Sequence, residues 1–381
     1  MILIPGYKMN DSELRIAIID PVGKKAGMDV YDLSLAHQLK KLSCNVKVYS
    51  NFSEKNESDT VVEQFDFTFE KNLGQNIRFF FQFISGLQKA KKESTQVILL
   101  HLFHSTFADL FFIALSRFWR FKICLILHDV ESFVYSHRKY LLKGCLNLAS
   151  SIIVHNKTTY DELLEKIGYD KENIWIVPHG NFIGHPAKEK REFVLDYFNM
   201  DYTKKYLIFF GMIKKSKGLE VLLEALQRTD ENIHLIIAGR MRDQSFRLLN
   251  EIIDKMGLTQ RVHTYIRYIT NVERHYFFSL ADVAILPYLR IYQSGVLLLA
   301  MSYGIPVIAS NLPANREIID GQNGKLFISG DSRDLAVTIN LLINDENARI
   351  LLSKKSIDYV NKNHDWANIS KKFMDILTTI K

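Results

Sequence analysis

Short apolar runs alternate with amphipathic stretches along almost the whole chain, in two separate series. The first series is Leu14–Asp20, Val46–Tyr49, Val97–His101, Lys122–Leu127, Ser151–Val154 and Ile174–Val177. The second is Tyr206–Phe210, His234–Ala238, Val262–Ile266, Val283–Leu286 and Pro306–Ala309. Uninterrupted apolar runs of this length mark strands buried on both faces, which is how parallel sheets covered by helices read. The stretches between them carry helical spacing, as with Val30, Leu33, Leu35, Ala36, Leu39 and Leu42. Strand and helix in alternation predict an α/β fold built from βαβ units.

Pro178-His179-Gly180-Asn181 closes the first series, and residues 182–203 read as a charge-rich linker. A chain of 381 residues also favours two cores over one. The expected architecture is therefore two doubly wound Rossmann-like domains facing across a cleft. The first spans 1–182 and the second 183–364, with a C-terminal helix at about 365–381 packing back on the first. A cleft of that kind suits two substrates, one held by each half.

Gln293-Ser294-Gly295-Val296 precedes an apolar helical run that ends at Gly304-Ile305-Pro306, and the strand Ala281–Tyr288 comes before it. A Ser-Gly turn at a helix N-terminus offers unpaired backbone N–H groups and the positive end of the helix dipole. Placed after a strand of a parallel sheet, it is a seat for a phosphate or diphosphate.

The formal net charge of +7 points to an anionic partner, a nucleotide or a phospholipid surface, unless it is general basicity. Positive charge is dispersed and no nucleic-acid module is recognisable, so a nucleic-acid partner is not expected. Cys44, Cys124 and Cys145 are widely spaced, which fits a reducing compartment and argues against a structural zinc site. No signal peptide or spanning apolar run is evident, so a cytoplasmic protein is expected. Arg78–Lys92 and Phe107–Lys122 mix aromatic with basic residues. They read either as core aromatics with charged rims or as a docking face for the inner surface of the cell membrane.

Four blocks carry a resemblance: Phe209–Leu219 (with Gly211, Lys214, Lys217 and Gly218), Ile236–Gly239, Ala281–Tyr288 and Gln293–Ser310, followed by Asn315–Gly324. In this order and spacing the chain resembles GT-B fold glycosyltransferases of the retaining family-four type, over nearly its whole length and most densely from 206 to 328. The resemblance implies transfer of a sugar from a nucleotide-sugar donor, of UDP or GDP type, to an acceptor hydroxyl on a glycan or lipid-linked molecule. No cofactor or metal is implied. The donor sits mainly on the second domain. Lys217 matches the family's diphosphate-contacting lysine, and Lys214 adds a second cation, although a Lys-Lys-Ser-Lys run also reads as a solvated loop. A cation there steadies charge that grows on the departing nucleotide. Gln293 is placed to bond the donor sugar, and Ser294, Gly295 and Val296 to offer N–H groups.

The family's Glu-x7-Glu pair is missing: its positions fall on Ile291 and Leu299. Glu317, expected to cap the next helix and point toward the ribose, is the candidate replacement. In the first domain Gly27 and Met28 match a glycine-rich acceptor or phosphate loop. His128 and Asp129 match a catalytic His-Asp pair. His104 is a weaker candidate there, and His155 is expected on the acceptor side. His179 reads as a hinge marker. The rivals are a sugar-nucleotide epimerase of the same fold and a degenerate, non-catalytic partner subunit.

Overall fold

The protein was analysed as a computed structural model, which describes residues 13–23, 27–52, 59–66, 73–103, 105–128, 130, 139–182, 188–242 and 246–381. Asp129 and His104 lie outside the described residues. Two parallel sheets are formed. The strands β1 (Arg15–Asp20), β2 (Asn45–Ser50), β3 (Val61–Glu63), β4 (Val97–Leu102), β5 (Lys122–Leu127), β6 (Ser151–Val154) and β7 (Ile174–Ile176) make a seven-stranded sheet of order β3-β2-β1-β4-β5-β6-β7. The strands β8 (Lys205–Phe210), β9 (Ile233–Ala238), β10 (Val262–Tyr265), β11 (Val283–Leu286), β12 (Val307–Ser310) and β13 (Lys325–Phe327) make a six-stranded sheet of order β10-β9-β8-β11-β12-β13. Neighbouring strands are parallel throughout.

Both orders reverse direction once, between β1 and β4 and between β8 and β11. Loops leaving the carboxyl ends on either side of such a reversal diverge to opposite faces and leave room for a ligand.

The chain divides into two compact units: residues 1–154, 163–177 and 366–381 form the first, and 155–162 with 178–365 the second. The break thus falls at 177/178 rather than 182/183, and His155 groups with the second unit. The supposed linker 182–203 holds a helix, Arg191–Phe198, that buries Val194 and Leu195.

In the first unit, helix Met28–Lys41 places Met28, Tyr31, Leu35, Ala36 and Leu39 in a core shared with β1, β2, β4 and β5. The last helix, Trp366–Ile380, completes this core with Trp366, Ile369, Phe373, Ile376 and Leu377. At about 1.5–3 kcal/mol for each large side chain fully buried, this helix is a main contributor to the first unit. In the second unit, helix Leu219–Leu226 seats Leu219, Leu222, Leu223 and Leu226 against β8, β9 and β11.

Two glycines bring loops of the second unit unusually close. Gly218 has φ +66°, and a Cβ there would lie 1.9 Å from the Pro287 carbonyl oxygen. Gly239 has φ +147°, and a Cβ there would lie 1.7 Å from the Gly211 carbonyl oxygen. No other residue type fits either place without moving backbone.

Candidate functional site

In the second unit the loops after β8, β9, β10 and β11 meet at the carboxyl end of the sheet. Gly211 follows β8, Gly239 and Arg240 follow β9, Tyr268 lies just past β10, and Tyr288 lies just past β11. Backbone bonds tie them together: the Ile213 N–H donates to the Arg240 carbonyl at 2.7 Å, and the Leu289 N–H to the Ser216 carbonyl at 2.9 Å. The second bond pins the short 3₁₀ turn Lys215–Lys217 against the β11 loop.

Lys217 is half-buried, and its Nζ sits 3.6 Å from the centroid of the buried Tyr288 ring. The negative ring face holds the ammonium in place. Lys214 is also half-buried, and the Arg240 guanidinium stacks 5.0 Å from the Tyr268 ring centroid. Three cations thus rim this end of the sheet.

Ser294 is the N-cap of helix Gly295–Ser302: its Oγ accepts from the Leu297 N–H at 3.1 Å. The Leu297 N–H is therefore spent on the cap. The Gly295 and Val296 N–H groups, in the first turn, have no intrahelical partner. The Ser294 hydroxyl also lies 3.4 Å from the Tyr288 hydroxyl, so the cap and the Lys217 platform share one ring. Gly211 packs beside Val296, whose Cγ2 would lie 3.4 Å from a Cβ at residue 211. Gln293 is half-buried at the same turn. Gly211, Lys214, Lys217, Gln293, Ser294, Gly295 and Val296 are accordingly brought together. Leu299 is buried and Ile291 half-buried, apolar side chains at the two positions of the missing carboxylates.

Glu317 departs from expectation. It caps no following helix. Instead its carboxylate accepts from the Lys157 N–H at 2.8 Å and the Thr158 N–H at 2.7 Å, with the Thr158 hydroxyl as a further donor. It therefore caps the start of helix Lys157–Glu162, about 160 residues earlier in sequence. An open hollow of about 310 Å³ lies there, lined by Lys157, Thr158, Asp161, Pro313, Arg316 and Glu317. His155 is buried nearby in the chain, with its ring 5.4 Å from that of His179.

In the first unit Met28 is a correction too. Its side chain is 4% exposed within the core, and Gly27 is the left-handed N-cap of the helix that Met28 begins. Any loop function there rests on Gly27 and backbone. His128 is half-buried just past β5. Its ring stacks on Phe103 at 4.3 Å between centroids, and its Nε2 lies 2.9 Å from His101 Nδ1.

Behind His128 stands a group that the sequence reading did not single out. His101 Nε2 lies 2.9 Å from Asp32 Oδ1. Asp32 in turn interacts electrostatically with Asp20, the last residue of β1, whose Oδ1 accepts from the Val22 N–H at 2.8 Å. Asp20 and Asp32 are buried and the His101 side chain is nearly inaccessible, and burial is the chief cause that pushes both carboxyls well above the usual range. Burial also lowers His101. One signal was available: Asp20 and His101 are polar residues that follow apolar runs, at the carboxyl ends of the two strands flanking the order reversal. Among the described residues no group of three or more His, Cys, Asp or Glu is arranged to hold a metal ion.

Comparison with known proteins fits this geometry. Residues 26–180 match the family described as Glycosyltransferase Family 4, and residues 204–345 match Glycosyl transferases group 1. The chain belongs to the family-four, group 1 glycosyltransferases. Its fold is that of the Anabaena protein HepE, solved with UDP and glucose, at a TM-score of 0.77 and 19% identity over 96% of this chain and 100% of that one. WaaG, a glycosyltransferase involved in lipopolysaccharide biosynthesis, aligns at a TM-score of 0.68 and 15% identity over 95% and 99%. Among curated proteins, the phosphatidyl-myo-inositol mannosyltransferase of Mycobacterium leprae is 28% identical over 46% of this chain and 47% of its own. The D-inositol 3-phosphate glycosyltransferase of Corynebacterium urealyticum is 22% identical over 94% and 92%. The chain spans about half the length of relatives such as the mannosyltransferase.

Proposed function

We propose that this protein transfers a sugar from a nucleotide-sugar donor to an acceptor hydroxyl. The observation that carries the reading is the Lys217–Tyr288–Ser294 arrangement, a fixed cation and a helix N-terminus sharing one aromatic platform at the end of the second sheet. A leaving nucleoside diphosphate needs such groups, placed before the bond breaks. Family membership of both matched segments supports it.

In this reading Lys217, Lys214 and the Gly295 and Val296 N–H groups bind the donor diphosphate, Gln293 the donor sugar, and Gly211 allows close approach. His128 serves the acceptor hydroxyl. Cations and backbone donors take the place a metal holds elsewhere, and transfer proceeds with retention through an oxocarbenium-like state, the departing phosphate taking the acceptor proton. UDP is the favoured nucleotide, since the HepE structure holds it. The test is thermal stabilisation and turnover across UDP-, GDP- and ADP-sugars. A ligand at 100 times its Kd stabilises by about 2.7 kcal/mol. If no nucleotide sugar shifts the melting curve or is consumed, the reading fails.

The acceptor is proposed to be lipid-linked, at the inner face of the cell membrane. Phe81, Phe107 and Phe118 are 64%, 61% and 82% exposed on helices Leu73–Lys92 and Phe107–Phe118. The rings of Phe80 and Phe111 join these helices at 5.5 Å, and Lys89, Lys92 and Arg117 lie on the same pair. Among the described residues no helix is long and apolar enough to cross a membrane. Exposed aromatics beside basic side chains suit an anionic bilayer surface. Co-sedimentation with phosphatidylglycerol vesicles, lost on Phe118→Ser with Phe81→Ser, checks it. Equal binding of the double variant refutes it.

The partner-subunit alternative draws on the buried Leu299 where the family's carboxylate would be. It predicts nucleotide binding without turnover in the same screen.

A further inference from the structure

Helix Arg191–Phe198, in the second unit, carries more aromatic surface than its packing uses. Val194 and Leu195 are buried, and Phe198 stacks on the buried Phe277 at 4.5 Å between centroids with the planes 10° apart. Phe193 and Tyr197 lie one turn apart on a different side of the helix, and each is about half exposed. Their ring centroids are 6.4 Å apart and their planes differ by 37°. Tyr276, from helix Asn271–Leu280, stands steeply to both, 5.5 Å from Phe193 at 82° and 5.0 Å from Tyr197 at 69°. Steep ring contacts of this kind are favourable and hold two half-bare rings at a fixed tilt. Polar groups surround them. The Tyr202 hydroxyl donates to Asp196 on the same helix, and Arg267, paired with Glu273, is within electrostatic reach of Tyr197. Among the described residues the Tyr197 and Tyr276 hydroxyls have no hydrogen-bond partner.

The size of the patch limits what can cover it. Tyr202 and Val272, the latter one turn before Tyr276, are also about half exposed. With Phe193 and Tyr197 they offer about 400 Å², at about 100 Å² for each half-bare side chain. A stable protein interface takes about 800 Å² from each partner, so a second copy of this chain would find too little here. Glu192 and Asp196 lie on the same helix as the rings, which sets the patch against an anionic bilayer. A chain of neutral sugars fits. One face of a pyranose ring presents C–H groups of slight positive charge to the negative face of an aromatic ring, and its hydroxyls reach carboxylate, guanidinium and phenol groups at the rim. We propose that Phe193 and Tyr197, braced by Tyr276, form a secondary surface that holds a neutral hexose chain outside the donor site. Neither helix carries any of the residues gathered at the donor loops. The proposal draws on the transfer reading only for the source of the glycan, which is the acceptor or the product.

The probes are mannan and dextran, each cast into native gels. Wild-type mobility is expected to drop in at least one of them, and Phe193→Ser combined with Tyr197→Ser to weaken the retardation at least about tenfold. Tyr197→Trp keeps a ring face, so it should bind as tightly as wild type and change its emission when the polymer is added. That variant tests the stack should the double variant fail to fold. Wild type running unhindered in both polymers overturns the proposal. So does a folded double variant retarded like wild type, or a Tyr197→Trp emission that neither polymer changes. A dimer in sedimentation velocity that the double variant loses would assign the face to a second copy, and binding to phosphatidylglycerol vesicles that it loses would assign the face to a bilayer. Either result also overturns the proposal. Retardation of a protein that turns over no nucleotide sugar keeps the surface and removes the transfer reading, whereas turnover without retardation does the reverse.

Discussion

Removing Lys217 should have two separable costs. The first is to folding. Its Nζ lies 3.6 Å from the Tyr288 ring centroid at a half-buried place. A cation–π contact between exposed and desolvated limits is worth about 1 kcal/mol, so Lys217→Ala should lose about that much in a urea titration. The second cost is to transfer. Deleting one preorganised charge partner of a developing anion typically costs about 2.7–4 kcal/mol, or about 10²- to 10³-fold in kcat. Lys217→Arg keeps charge and stacking but carries a broader head, and should recover part of the rate. Tyr288→Leu keeps the lysine and removes its platform. The ammonium then swings free, and the side chain's lost order should cost about tenfold. The assay is steady-state release of UDP from UDP-glucose, alongside urea unfolding of each variant. If Lys217→Ala keeps its rate within threefold, or if Tyr288→Leu is as active as wild type, the argument that the ring fixes the cation for the diphosphate is wrong.

Gly239→Ala should destabilise the second unit by about 3 kcal/mol or more, since its Cβ would sit 1.7 Å from the Gly211 carbonyl oxygen and backbone must move. A urea midpoint equal to wild type would mean that the two loops are not in contact. Glu317→Ala should cost about 1 kcal/mol through lost capping of helix Lys157–Glu162. A large loss of nucleotide affinity in calorimetry, with stability unchanged, would return Glu317 to the ribose. For the Asp20–Asp32 pair the sign runs against the usual carboxylate case. The unfolded chain releases these protons near pH 4, while burial makes the folded carboxyls keep theirs to higher pH. The folded state then binds more protons, so stability contributed by the pair is greatest below pH 4 and declines as pH rises through the folded titration, by up to about 1.4 kcal/mol per pH unit. His101, lowered by burial and partly raised by Asp20, acts oppositely, and it is lowered further in Asp20→Asn. Asp29 and Tyr31 on the same helix and Cys124 on β5 are the other titratable groups around the pair. Parallel stability curves for the two proteins from pH 5 to 8 would refute the raised titration of the pair.

Much of the architecture could be read in advance because buried parallel strands announce themselves as unbroken apolar runs. β3 and β13 escaped notice, being three residues each at sheet edges, too short to show any period. Helix Arg191–Phe198 was mistaken for a linker because its flanks, Lys188, Glu189 and Lys190 among them, are charged and its apolar face is only Val194 and Leu195. The donor loop was legible since its residues are close in sequence. Glu317 was not, because its partners lie about 160 positions away, and no local pattern says which helix start a carboxylate will find. Met28 was judged by its place in a loop motif, whereas the helix it begins turns its side chain inward. Asp20, Asp32 and His101 come from β1, the first helix and β4. Only the pairing of β1 with β4 makes them neighbours.

The final helix has a consequence for how the chain comes off the ribosome. Trp366, Ile369, Phe373, Ile376 and Leu377 belong to the core of the first unit, yet they are synthesised after all of the second. The second unit can finish folding while its predecessor still waits with Tyr31, Leu35 and Leu39 uncovered. During that interval the nascent chain presents a sticky helix face, and a chaperone that recognises apolar surface has a defined window in which to hold it. Stalled chains ending near residue 365 should therefore be protease-sensitive in the first unit alone, and chains extended past residue 380 protected in both.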